Sequence, residues 1–174
     1  MFNDPEWATK EEWDAYAWFG FALSEAQTIE MLLQVLATAL SMESMRGTDK
    51  HHDWPTLHDS FGRLTLGELF KAVKSHKNLP SSESLLLNLT EVRNVRKRIV
   101  HGFFRPNDSP LSDVERLTDA TRELQMAASL FRNSATELER VVYKVLDQLR
   151  VTRAEVEAQI SKRSAELNGQ SSVD

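Results

Sequence analysis

Residues 93–104 read RNVRKRIVHGFF: four cations, one histidine and two phenylalanines, with no acid among them. Histidine is the side chain that gains or loses a proton near neutral pH. Arginine presents a planar fork of donors that matches a phosphate or carboxylate. Proton transfer beside a clamped oxyanion is the chemistry such a set can perform. The run is unusual for its setting, because the chain carries 26 Asp and Glu against 21 Lys and Arg, a net charge of −5.

The run falls on a helix. Leu85, Leu89, Val92, Arg96, Ile99 and Phe103 recur at spacings of 4, 3, 4, 3 and 4, an apolar stripe with an arginine at its centre. A guanidinium stays charged, so inside a bundle it must find acceptors or sit at a cleft edge. Glu25 and Glu30, each set in an apolar run of the first helix, are the expected partners. His101 follows Arg96 by five residues, which separates the two side chains by roughly 140° on an ideal helix. Three routes bring them together: Gly102 ending or distorting the helix, the arginine curling around a flank, or two copies of the helix meeting across a dimer axis. Asn94, Arg98 and His101 share a face at i, i+4 and i+7. The plainer reading is a solvated basic face near a helix C-terminus, where the macrodipole favours cations.

The elements that position this stretch read as helices throughout, with no alternating strand pattern. The expected fold is an all-α antiparallel helical bundle of three long helices and one short one. Residues 1–150 form the bundle, and 151–174 are an extension of the last helix with a frayed tail. Thr9 and Glu12 make a capping box for a first helix running to about Met42. Its inner face is read as Trp13, Ala17, Gly20, Leu23, Ala26 or Gln27, Met31, Val35 and Leu40. Arg46 to Arg63 reads as a polar loop. Thr65 and Glu68 cap a short second helix ending near His76. The third helix starts at Ser81 or Ser82 and ends near Gly102. The fourth, capped by Ser112 and Glu115, runs to about Leu167. One of its heptad seams holds Val114, Thr121, Ala128, Ala135, Val142, Leu149 and Val156. The other holds Leu117, Leu124, Phe131, Leu138, Val145 and Thr152.

Bulk composition narrows the classes. A chain of 174 residues suits one domain. With no cysteine, disulfides and thiolate metal sites are excluded. The N-terminal segment has acids where a secretory leader has cations, and its apolar piece from Ala15 to Leu23 is too short to cross a bilayer. The expectation is a cytoplasmic protein with no membrane partner. The acidity argues against a bulk cationic surface for nucleic acid and leaves a local patch.

RKRIVHGFF, Arg96 to Phe104, resembles the signature of HEPN domains: an Arg, four to six residues, then a His, late in a helix of an all-α bundle. TLGELFKAVKSH upstream and the long last helix also resemble that bundle. The family often places Asn directly after the Arg, and Lys97 stands there. Where some members carry a modifiable Tyr two residues past the His, Phe103 has no hydroxyl. The resemblance implies a HEPN-like fold and metal-independent endoribonuclease activity in a homodimer, of the toxin or defence-effector kind. It implies no cofactor and RNA as substrate, with an antitoxin or nucleotidyltransferase as partner. On that reading His101 is the general acid or base for attack by the RNA 2′-hydroxyl. Arg96 stabilises the phosphorane. Arg93, Asn94, Lys97, Arg98 and Arg105 hold neighbouring RNA, and Glu25 and Glu30 support Arg96. The alternative is a non-catalytic HEPN-like dimerisation or RNA- or nucleotide-binding module, and a third class is a structural bundle without a ligand.

Two other groups compete. HHDWPTLHD holds His51, His52, Asp53, His58 and Asp59, residue types that bind metals. No further ligands on other helices are evident, so a polar loop is expected and no metal is assigned. Trp7, Trp13, Trp18 and Phe19 offer stacking surfaces, but their helical spacing points to core or interface.

Overall fold

A computed structural model describes residues 9–46, 53–80, 83–103 and 114–151, with the single positions Ala154 and Ala158. All its regular elements are helices: α1 (Lys10–Met45), α2 (Trp54–Gly62), α3 (Leu66–Lys74), α4 (Glu83–Gly102) and α5 (Val114–Leu149). Among the described residues there is no strand and no helix long and apolar enough to cross a membrane. The chain divides into two compact units, one of residues 1–32 with 81–138, the other of 33–80 with 139–174.

Local chemistry sets the helix starts. At α1, Glu12 accepts the Thr9 N–H at 2.6 Å and Thr9 Oγ1 accepts the Glu12 N–H at 3.2 Å, the reciprocal box read from sequence. Thr65 and Glu68 repeat it at α3. The two backbone and hydroxyl donors of Thr65 hold the Glu68 carboxyl below its ordinary pKa. Helix α2 was not expected, since 46–63 reads as a loop. It forms because Asp53 caps it, accepting the Thr56 N–H at 3.0 Å, and because Pro55 lies in its first turn, where a missing N–H costs nothing. The caps proposed at Ser81, Ser82 and Ser112 lie outside the described residues.

The first unit is built from α4 and the flanking parts of α1 and α5. Its α1 face is Ala15, Ala22, Ala26 and Ile29, all at most 1% exposed. The face read from sequence is corrected here: Ala17, Gly20 and Gln27 are exposed, and Met31 is 55% exposed. Alanines at helical spacing let the helix approach its neighbours closely, so small side chains define the inner stripe and bulky ones take the flanks. Trp18 meets Phe21 edge-on at 5.6 Å, and Phe19 lies 5.2 Å from the Phe103 ring. Leu117, Leu124, Phe131 and Leu138 of the second α5 seam are buried, joined by Ala127 and Ser134 outside both seams. A straight helix drifts off a strict seven-residue repeat, which brings such neighbours inward.

In the second unit every residue of α1 from Val35 to Leu40 is buried. A helix covered on all sides has no single stripe to read. Leu66, Leu69, Phe70 and Val73 of α3 and Val142, Val145 and Leu146 of α5 are buried in this unit. α5 ends at Leu149, not near Leu167 as the sequence suggested. Arg150 adopts φ 60°, its N–H reaches Asp147 O at 3.0 Å, and the Val151 N–H reaches Leu146 O at 3.0 Å. That pair of bonds is a Schellman stop, a position glycine ordinarily fills without Cβ strain. The seam positions Thr152 and Val156 lie outside the described residues. Replacing Arg150 with Gly should raise stability by about 1 kcal/mol, read from the urea midpoint; an unchanged or lowered midpoint would argue against a strained stop.

Candidate functional site

α4 keeps its helical course through the whole Arg96-to-His101 segment and closes at Gly102. Its buried residues are Leu85, Leu89, Val92, Val95 and Ile99, and Phe103, directly after it, continues the stripe. The centre of the stripe is therefore Val95, not Arg96. Both positions fit the spacing between Val92 and Ile99, and the apolar one goes inside because desolvating a guanidinium costs far more.

Arg96 sits at the edge, its side chain 34% exposed, with Nη2 2.8 Å from Glu30 Oε1. Glu30 is the partner expected from sequence. The contact is an ion pair by distance, yet Oε1 is shut off from solvent and receives no well-directed hydrogen bond. Glu25 goes elsewhere. Its Oε1 accepts from Arg132 Nε at 3.1 Å and Nη2 at 2.7 Å, and the Arg132 guanidinium lies 5.0 Å over the Phe21 ring. Glu25 therefore supports Arg132 and not Arg96.

The remaining cations divide. Arg98 pairs with Glu123 of α5 at 2.6 Å. Arg93, Asn94 and Lys97 are exposed, and neither Arg93 nor Lys97 enters an ion pair among the described residues. His101 is exposed in the last turn of α4. Arg105 lies outside the described residues. A regular helix leaves Arg96 and His101 roughly 140° apart in azimuth, so one chain does not aim both at a single phosphate by helix geometry alone.

Arg98 also lines a groove of about 420 Å³ within the first unit. Ile99, Gly102 and Phe103 form one wall, and Arg116, Asp119, Ala120, Glu123 and Leu124 form the other. Sequence reading missed Arg116 and Glu123. Nothing local marks them, because α5 opens with charges of both signs and only the packing of α4 on α5 selects these two.

Two other clusters have chemical form. Ser44 Oγ lies 2.8 Å from His76 Nε2, the spacing of a nucleophile and its base. The tautomer is wrong for that role. His76 Nδ1 accepts the Asn78 N–H at 3.3 Å, so the proton of a neutral ring is on Nε2 and is donated to Ser44. The pair ties the segment just after α3 to α1.

In the histidine-rich segment, His51 and His52 lie outside the described residues, and Asp53 is engaged as the α2 cap. Among the described residues no three His, Asp or Glu side chains converge to hold a metal. His58 is half-buried and stacks on Trp54 at 6.2 Å. Its Nδ1 is 3.5 Å from Thr38 Oγ1, and its carbonyl accepts from Gln34 Nε2 at 2.8 Å.

Set beside known proteins, the chain matches no family model, no curated protein and no solved structure.

Burial lowers the His58 pKa from its ordinary 6.5, against a smaller upward pull from Asp59. The unfolded chain then binds the proton more readily than the folded one. The stability from neutral His58 is complete above pH 6.5 and is lost as pH falls through that value towards the lower folded pKa. Urea unfolding at pH 7.5 and pH 5 should show a larger acid loss for wild type than for His58→Gln. Equal losses would remove His58 from the acid response.

Proposed function

We propose that this chain is a HEPN-like, metal-independent endoribonuclease of the toxin or defence-effector kind, acting as a homodimer. The observation that carries the reading is the placement of Arg96 and His101 with four residues between them, late in a helix of an all-helical fold, beside the exposed Arg93 and Lys97, which enter no ion pair among the described residues. The pairings Phe19 with Phe103 and Glu30 with Arg96 support α4 running counter to α1, as an antiparallel bundle requires.

The chemistry follows from the groups. The RNA 2′-hydroxyl attacks the adjacent phosphorus, its proton passing to a base, and the bond to the 5′-oxygen breaks as that oxygen gains a proton. The products are a 2′,3′-cyclic phosphate and a free 5′-hydroxyl. His101 serves one of the two proton transfers. Arg96 meets the charge building on the equatorial oxygens. Arg93 and Lys97 hold flanking phosphates. Because the helix separates Arg96 from His101, each cleft draws its arginine and histidine from different copies. DNA lacks the nucleophile and is not a substrate.

A second reading, a non-catalytic HEPN-like RNA- or nucleotide-binding or dimerisation module, is favoured by one observation. Arg96 and Arg98 are each already paired with a carboxylate of the same chain.

With RNA in EDTA, wild type should cleave, and Arg96→Ala and His101→Ala should each be slower by roughly 100-fold or more. Cleavage by both variants at the wild-type rate would refute the assignment. RNA binding that weakens with salt, without cleavage by any form, would select the second reading.

A further inference from the structure

Glu30 is the group nearest Arg96, and the character of their contact bears on how the candidate site operates. The pair is half-buried, with side chains 34% and 27% exposed. It commits Nη2 of the guanidinium to α1, while Arg93 and Lys97 stand on the exposed surface of α4. Arg93 lies one turn before Arg96 and Lys97 follows it directly, so an anion held by those two is within reach of a released Arg96.

The contact is also weaker in form than its distance suggests. Oε1 of Glu30 is closed to solvent and lacks a directed hydrogen bond. A phosphate offers the same charge with the freedom to meet two parallel N–H groups of the fork, the stronger geometry for an arginine. Glu30 opposes that exchange twice: it holds the guanidinium, and its charge repels an incoming anion.

We propose that the Arg96–Glu30 pair is an autoinhibitory latch, in which Glu30 withholds Arg96 from phosphate until a polyanion on the α4 surface displaces it. The latch rests on the reading of α4 as an RNA-binding helix. It assigns Glu30 the opposite role from a supporting residue: the carboxylate competes with substrate and does not orient the arginine towards it. In the latched form Arg96 is turned to its own α1, and the site is unassembled even where two copies meet.

The test uses the full chain and a fluorescent, single-stranded 2′-O-methyl oligoribonucleotide, which cannot undergo 2′-hydroxyl attack. Its affinity is measured for wild type, Glu30→Gln, Arg96→Ala and the double variant at one fixed salt concentration. Glu30→Gln keeps the side-chain shape and removes the charge; Glu30→Ala is carried in parallel, with circular dichroism confirming that each is folded. Binding should tighten about ten-fold in the Glu30 variants, a coupling of ordinary size. The gain should vanish when Arg96 is absent. Unchanged or weaker binding by folded Glu30 variants with Arg96 intact overturns the latch, and so does an equal gain in the Arg96→Ala background. Cleavage of unmodified RNA is scored separately. Tighter binding with no cleavage by any form sustains the latch and refutes the ribonuclease reading. Cleavage by wild type with no gain from Glu30→Gln does the reverse.

Discussion

A guanidinium cannot shed its charge on burial, and this constraint fixes how α4 sits in its unit. Two residues compete for the middle of the inner stripe, and only one can enter. Val95 goes in, and Arg96 is left at the edge, where Glu30 meets it. That rotation determines the rest of the helix surface. Ile99 and Phe103 continue the core, Arg98 turns to Glu123, and Arg93, Asn94, Lys97 and His101 face outward. Had the arginine been central, the exposed face would be shifted by about 100°, one residue of helical rotation. A different set of cations would then be available to a ligand.

How much of this was legible depended on whether the signal was local. Thr9 with Glu12 and Thr65 with Glu68 are boxes closed within one turn, and each starts its helix where the letters say. Asp53 with Pro55 is an equally local start signal, hidden because the surrounding residues are polar and no long apolar run follows. The inner face of α1 was misread for a different reason. Apolar residues lie on several sides of this helix, so its period has no single phase: Ala17 and Gly20 fit one stripe but are exposed, while Ala15 and Ala22 are inside. The end of α5 was illegible in principle, since an arginine occupies the left-handed stop that glycine normally announces.

The candidate site divides along the same line. A partner for Arg96 was demanded by charge burial, and Glu30 supplies it. Glu25 looked equivalent from sequence, but five residues turn it to another side of α1, where Arg132 and Phe21 take it up. The groove beside Arg98 could not be read at all. Its walls come from helix segments whose lining residues begin 98 and 116, and only packing brings them together.

The structure also recasts the basic stretch. Of its four cations in sequence, Arg96 and Arg98 carry carboxylate partners, which leaves Arg93 and Lys97 as its unpaired cations among the described residues. A single-stranded polyanion held by two such contacts would show a salt slope of only about −1.4. That is a weak electrostatic hold, in keeping with an acidic chain. Strengthening it needs no extra basic residues. On the proposed reading, releasing Arg96 from Glu30 would add a third contact, and a second copy facing the first would double the set. A helix that looks heavily basic in the sequence thus has half the cations of its basic run neutralised by carboxylates of α1 and α5, and the other half on its exposed face.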